Sequence, residues 1–173
     1  MNMRAFIPLA VFALIGFLLY SGIGKDPSYV PSPLVGKPIP SFSAPALYEP
    51  TRIVSSQSLL GTPYLLNVFG SWCPSCRDEH PVLTDYARRG KFKLVGFNWK
   101  DETVDAKRWL QQFGDPYAEI FTDLDGRLGL DFGVYGAPET FVIGADGMVL
   151  HKHVGPLDAE TIEREILPLI AGK

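Results

Sequence analysis

Two cysteines stand three apart in the stretch FGSWCPSCRDEHP, residues 69–81, and the 173-residue chain has no others. Thiols this close can staple a loop, hold part of a metal site or exchange electrons. As a staple the pair is poorly placed. Closing a loop of about four residues stabilises a fold by only about 2 kcal/mol, against nearly 5 for about a hundred residues. A structural zinc site wants four ligands, commonly two cysteine pairs or one pair with two histidines. Beyond its single pair the chain offers His80, four residues after Cys76, and His151 and His153, which alternate on a strand and face one way. No recognised ligand spacing links these groups, and an exposed strand pair is the plainer reading of the two histidines. No metal site is expected, and the spacing favours redox chemistry.

Local physics assigns the two sulfurs different work. Pro74 suits the first position of a helix, where its missing N–H costs nothing. Cys73 then falls at the N-cap, where free backbone N–H groups and the positive end of the dipole favour a thiolate. Cys76 lies one turn in, on a stripe with Leu83 and Ala87, and should face inward. Cys73 is expected as the exposed attacking sulfur and Cys76 as the shielded resolving one, through a mixed disulfide. Trp72 either flanks the exposed sulfur or simply packs. Pro81 should kink the helix by removing one backbone bond.

The elements needed to hold such a centre can be read along the chain. YLLNVFG (64–70) and KLVGFNW (93–99) are short apolar runs suited to buried strands, with the cysteine helix between them and Gly90 as its stop. TVDAKRWLQQFG (103–114) sets Ala106, Trp109, Leu110 and Phe113 on one helical face. EIFTDLD (119–125) reads as a strand and turn, TFVIGADGMVLHKHV (140–154) as a hairpin turning at GADG, and DAETIEREILPLIAG (158–172) as a closing helix. The pattern describes an α/β domain over residues 42–173, a mixed sheet covered by helices on both faces.

Ahead of it, residues 5–23 carry no charge, and as a helix would span roughly 28 Å, close to a bilayer's hydrocarbon thickness. The run is longer than a signal peptide's apolar region and ends without a good cleavage site. Residues 1–24 are therefore expected as an uncleaved transmembrane anchor. Arg4 ahead of the run favours a cytoplasmic N-terminus and an exported body. Residues 25–41 hold five prolines and read as a stiff spacer. A formal net charge of −3 argues against nucleic acid as a partner.

Trp-Cys-Pro-Ser-Cys between a strand and a helix resembles the thioredoxin superfamily. With GVYGAPETFVIGADG (133–147), the WCPSCRDEHP stretch and the apolar N-terminus, nearly the whole chain resembles the membrane-anchored thioredoxin-like proteins of bacterial cytochrome c maturation, the CcmG/DsbE group. The resemblance implies a thioredoxin-like fold in which Ala137-Pro138 is a cis bond beside the cysteines. It also implies a periplasmic thiol–disulfide reductase, held by one span in the inner membrane. Electrons would come from a membrane thiol transporter of the DsbD/CcdA kind and go to apocytochrome c or a protein that handles it. No cofactor is implied, because the dithiol carries two electrons itself.

Carboxylates near the pair oppose a second negative charge and make it more reducing. Glu79 matches an active-site acid of the family, and Glu139 follows the expected cis-proline and is expected to face the cysteines. Asp78 is read as ordinary helix-terminal charge. The site expected is thus Cys73 and Cys76, with Trp72, Pro74, Glu79, Ala137, Pro138 and Glu139 around them. Three alternatives carry different chemistry: a reductase of another periplasmic pathway, a copper carrier (which would use a longer cysteine spacer), and a non-catalytic holdase with grooves built from Phe97, Trp99, Tyr117 and Tyr135.

Overall fold

YLLNVF is apolar at five of six positions, and its surroundings explain why: β3 (Tyr64–Phe69) is the buried central strand of the domain's larger sheet. The computed structural model describes residues 6–22 and 32–171. In chain order the elements before β3 are α1 (Phe6–Gly22), β1 (Ser43–Pro45) and β2 (Ile53–Ser55). After it come α2 (Pro74–Arg88), β4 (Lys93–Trp99), α3 (Thr103–Phe113), β5 (Glu119–Asp123), α4 (Arg127–Asp131), β6 (Glu139–Ile143) and β7 (Val149–Val154). The chain closes with α5 (Ala159–Thr161), a π-helical turn (Ile162–Ile166) and α6 (Leu167–Ala171).

The sheet runs β5-β4-β3-β6-β7, with β3, β4 and β5 parallel and β6 and β7 antiparallel to their neighbours. Side chains alternate between its faces. Tyr64, Leu66 and Val68 meet Phe97, Phe121, Phe132 and Phe141 on one face. Leu65 packs with Leu83, Val142, Ile162 and Ile166 on the other, beneath α2 and the closing helix. Each such side chain, fully withdrawn from water, contributes roughly 1.5–3 kcal/mol. Trp109 joins the core beside Phe69 and Cys76, as its helical spacing predicts.

Element ends follow their residues. Gly90 and Gly114 take positive φ of 67° and 97° just past α2 and α3, a conformation that side chains resist. The GADG turn closes with Gly144 N donating to Met148 O. α2 continues as one helix through Pro81.

Two features depart from expectation. β1 and β2 form a separate small antiparallel pair, too short for alternation to reveal. The second half of the proline-rich segment is also fastened to the domain, so its packing begins ahead of residue 42. Gly36 N donates to Val149 O at 2.8 Å, Val149 N to Lys37 O at 2.9 Å and Ile39 N to Gly147 O at 2.9 Å, while Leu34 packs on the core. The prolines lack donors, but the residues between them keep theirs, and edge pairing tolerates that mixture. The rest of the expected spacer, residues 25–31, lies outside the described residues.

Residues 1–30 form a separate unit. Within it α1 holds 17 apolar or small residues and no charge. At about 1.5 Å per residue it reaches about 26 Å, short of a hydrocarbon core of about 30 Å. Among the described residues no helix is long and apolar enough to cross a membrane; residues 1–5 and 23–24 of the expected anchor lie outside them.

Candidate active site

Cys73 and Cys76 are joined as a disulfide with their Cα atoms 5.3 Å apart. Pro74 opens α2, Cys73 is its N-cap, and Cys76 N donates to Cys73 Sγ at 3.1 Å. The turn before it is closed by Cys73 N donating to Gly70 O. From across the sheet, the Ala137-Pro138 bond is cis, and Ala137 O lies 3.3 Å from Cys73 Sγ. Cys73 is thus held between a helix N-terminus and the carbonyl before the cis-proline.

The expected contrast in exposure is absent, since Cys73 is 3% and Cys76 2% exposed. Ala137 covers the first sulfur, a neighbour 64 residues away that local helix geometry cannot reveal. The two sulfurs differ in outlook instead. Cys73 lines an open cavity of about 340 Å³ with Trp72, Pro74, Arg77, Trp109 and Phe113, and Cys76 does not. Trp72 is 50% exposed at its rim, its Nε1 donating to Trp99 O at 3.3 Å. Gly70 makes room for it: a Cβ there would lie 2.5 Å from the Trp72 Nε1. The far wall comes from α3, in the segment between β4 and β5.

Asp101 fixes the turn leading into Cys73. Its carboxylate accepts from Ser71 N at 2.7 Å, Ser71 Oγ at 2.6 Å and Asn98 Nδ2 at 2.8 Å. Sequence reasoning missed this group, for which a polar pair at the end of an apolar strand was the sole signal.

Asp78 is exposed, as expected of a helix-surface charge, whereas Glu79 is 2% exposed. Glu79 accepts from Asn67 Nδ2 and from Leu157 N, each at 2.8 Å. Asn67 also donates to Thr140 Oγ1 at 3.1 Å, and its Oδ1 accepts from Tyr117 Oη at 2.7 Å. Burial raises the Glu79 pKa from 4.5 to about 7, against the pull of its two hydrogen bonds. This carboxyl, on the helix that carries both cysteines, changes protonation near neutral pH.

Glu139 is fully buried but does not share that network. Alternation along β6 sends Thr140 toward Asn67 and Glu139 to the opposite face. There Glu139 pairs with the buried Lys152 Nζ at 2.8 Å and accepts from Tyr135 N at 3.2 Å. Lys152 also donates to Gly133 O and lies over the Tyr135 ring. In place of the expected bare acid facing the cysteines stands a neutralised pair. His80 is buried against Trp109, its Nε2 2.9 Å from Gly114 O. Of the aromatics considered for a groove, Phe97 and Trp99 are core and Tyr135 is exposed.

A disulfide at a helix N-cap, opposed by a cis-proline on a mixed five-stranded sheet, defines a thioredoxin-like thiol–disulfide oxidoreductase. The chain matches the redoxin family over residues 34–167, and it belongs to that family. It is 48% identical to the thiol:disulfide interchange protein DsbE of Allochromatium vinosum, over 97% of this chain and 93% of that one. It is 44% identical to the protein of the same name from Pseudomonas aeruginosa, over 94% of this chain and 90% of that one. Among solved structures it is similar to a thiol:disulfide interchange protein of Chlorobium tepidum, with 30% identity, a TM-score of 0.62, and cover of 83% of this chain and 98% of that one.

Proposed function

We propose that the protein is a reductant of disulfides in apocytochrome c or in a protein that handles it. It works in the periplasm, with residues 1–24 as its anchor in the inner membrane and a DsbD/CcdA-like thiol transporter as its electron source. The observation that carries the chemistry is the placement of Cys73, at the N-cap and on the cavity, with Cys76 behind it. The substrate assignment rests on the resemblance of the anchor, WCPSCRDEHP and GVYGAPETF taken together.

In the reduced protein the Cys73 thiolate attacks one sulfur of the substrate disulfide. A Cys73–substrate disulfide forms and the other substrate sulfur leaves as a thiolate. Cys76, deprotonated in turn, attacks Cys73, re-forms the Cys73–Cys76 bond and releases the second substrate thiolate. Two electrons pass to the substrate, and the protons of the two protein thiols balance its two new thiols. Trp72 and the Ala137-Pro138 edge bound the approach to Cys73, Pro74 sets the helix start, and Glu79, on the cysteine helix, tunes the pair.

Trapping tests this reading. With Cys76→Ser the second step is lost, so incubation with an oxidised peptide bearing a haem-attachment Cys-x-x-Cys-His segment should accumulate an adduct at Cys73. Cys73→Ser should give none. An adduct with unrelated disulfides but not with this peptide would overturn the substrate assignment. Full biological activity in Cys73→Ser would overturn the chemistry.

A further inference from the structure

Thiol exchange makes no use of three potential metal ligands at the far edge of the sheet. Within the five-stranded sheet β7 is an edge strand, with β6 as its one strand neighbour. His151 and His153 lie opposite Val142 and Thr140, so both rise on the face covered by the closing helix. Glu165 reaches the same face from the π-helical turn, its Oε2 3.8 Å from His151 Nε2. One ligand atom from each of the three lies within 4.8 Å of the others.

We propose that His151, His153 and Glu165 bind a divalent transition-metal ion of the zinc type, at a site built without the cysteines. Two imidazoles and a carboxylate are a ligand set that zinc accepts, with a fourth position left for water or a partner group. Ligands sharing a tetrahedral ion at about 2.1 Å stand about 3.4 Å apart. All three residues are only part-buried, which leaves their side chains room to turn toward a shared ion.

Three observations favour an ion over an ordinary surface pair. His151 Nε2 is buried and has no hydrogen-bond partner among the described residues. It stands too far from Glu165 for a hydrogen bond, yet at a separation that suits two ligands of one ion. Finally, both elements are irregular where they supply ligands. Leu150 is an extra residue in the β6–β7 pairing just ahead of His151, and Glu165 sits in a π-helical turn. Such insertions re-aim side chains and recur at functional sites.

Other charges at the face are accounted for. Arg164 pairs with Glu165 Oε1 at 2.9 Å and with Glu160, leaving Oε2 for an ion. Asp158 caps α5 through Thr161 N, and Lys152 turns to the opposite face. An ion here would tie the edge strand to the closing helix.

The test uses the full chain, stripped by chelator and kept oxidised so that the cysteines are not available as ligands. Calorimetric titration with Zn²⁺ should show one saturable site per chain. His153→Gln and Glu165→Gln should each weaken it about tenfold or more, with thiol exchange unchanged as proof of folding. Co²⁺ in place of Zn²⁺ should give d–d absorption that both variants lose. No saturable binding by the oxidised wild-type chain, or unchanged affinity in the two variants, overturns the proposal.

Discussion

Raising the pH through neutrality should weaken this fold by way of Glu79. Its carboxyl is withdrawn from water, and burial lifts its pKa from 4.5 to about 7 in the folded chain. In the unfolded chain it returns to the ordinary value. Between those two limits the folded state keeps a proton that the unfolded state has released. Stability is therefore highest below the unfolded value and falls until the pH has passed the folded one, a difference of about 3 kcal/mol. Glu79→Gln removes the titration while keeping the shape. Its amide oxygen can accept from Leu157 N, and its NH₂ can donate to Asn67 once that amide turns over, with Tyr117 Oη accepting in place of donating. Any cost of this rearrangement is the same at every pH. Urea unfolding of both chains, disulfide closed, should then show the stability difference moving by about 3 kcal/mol in the variant's favour between about pH 4 and about pH 8. A movement of less than about 1 kcal/mol would refute the reasoning, because the carboxyl would then be titrating as though in water.

Two other substitutions probe the groups around the cysteines. Lys152→Met leaves Glu139 buried without its partner and should cost about 3–5 kcal/mol in denaturant unfolding, most of it recovered when Glu139→Gln is added. Asp101→Ala leaves Ser71 N and Asn98 Nδ2 without their acceptor; it should cost about 1–3 kcal/mol and slow reduction of a model peptide disulfide, because the turn into Cys73 loosens.

Most of this architecture follows from patterns within single segments. β3 and β4 are apolar runs of strand length, α3 has helical spacing, and the proline after Cys73 marks the start of α2. Each of those signals spans fewer than twenty residues. What escaped depends on neighbours remote in the chain. The cover over Cys73 comes from Ala137, and the partners of Glu79 are Asn67, 12 residues earlier, and Leu157, 78 residues later. The neutralising partner of Glu139 sits on β7, where Lys152 reads from sequence as a surface charge between two histidines. Residues 32–41 depart from expectation for a different reason. Proline counts there describe the donors that are missing, whereas Gly36 and Ile39 supply the ones that bond to the hairpin. The π-helical turn that carries Glu165 has no signature in the apolar spacing of the closing helix.

The direction of electron flow is the centre of this account, and one equilibrium measures it. The full chain would be brought to equilibrium in glutathione redox buffers and the Cys73–Cys76 pair scored by thiol alkylation. A reductant should hold its disulfide under all but the most reducing ratios, with a potential more negative than about −200 mV. A value near the −120 mV of a strong thiol oxidase would contradict it: Cys73 and Cys76 would then take electrons from their substrates.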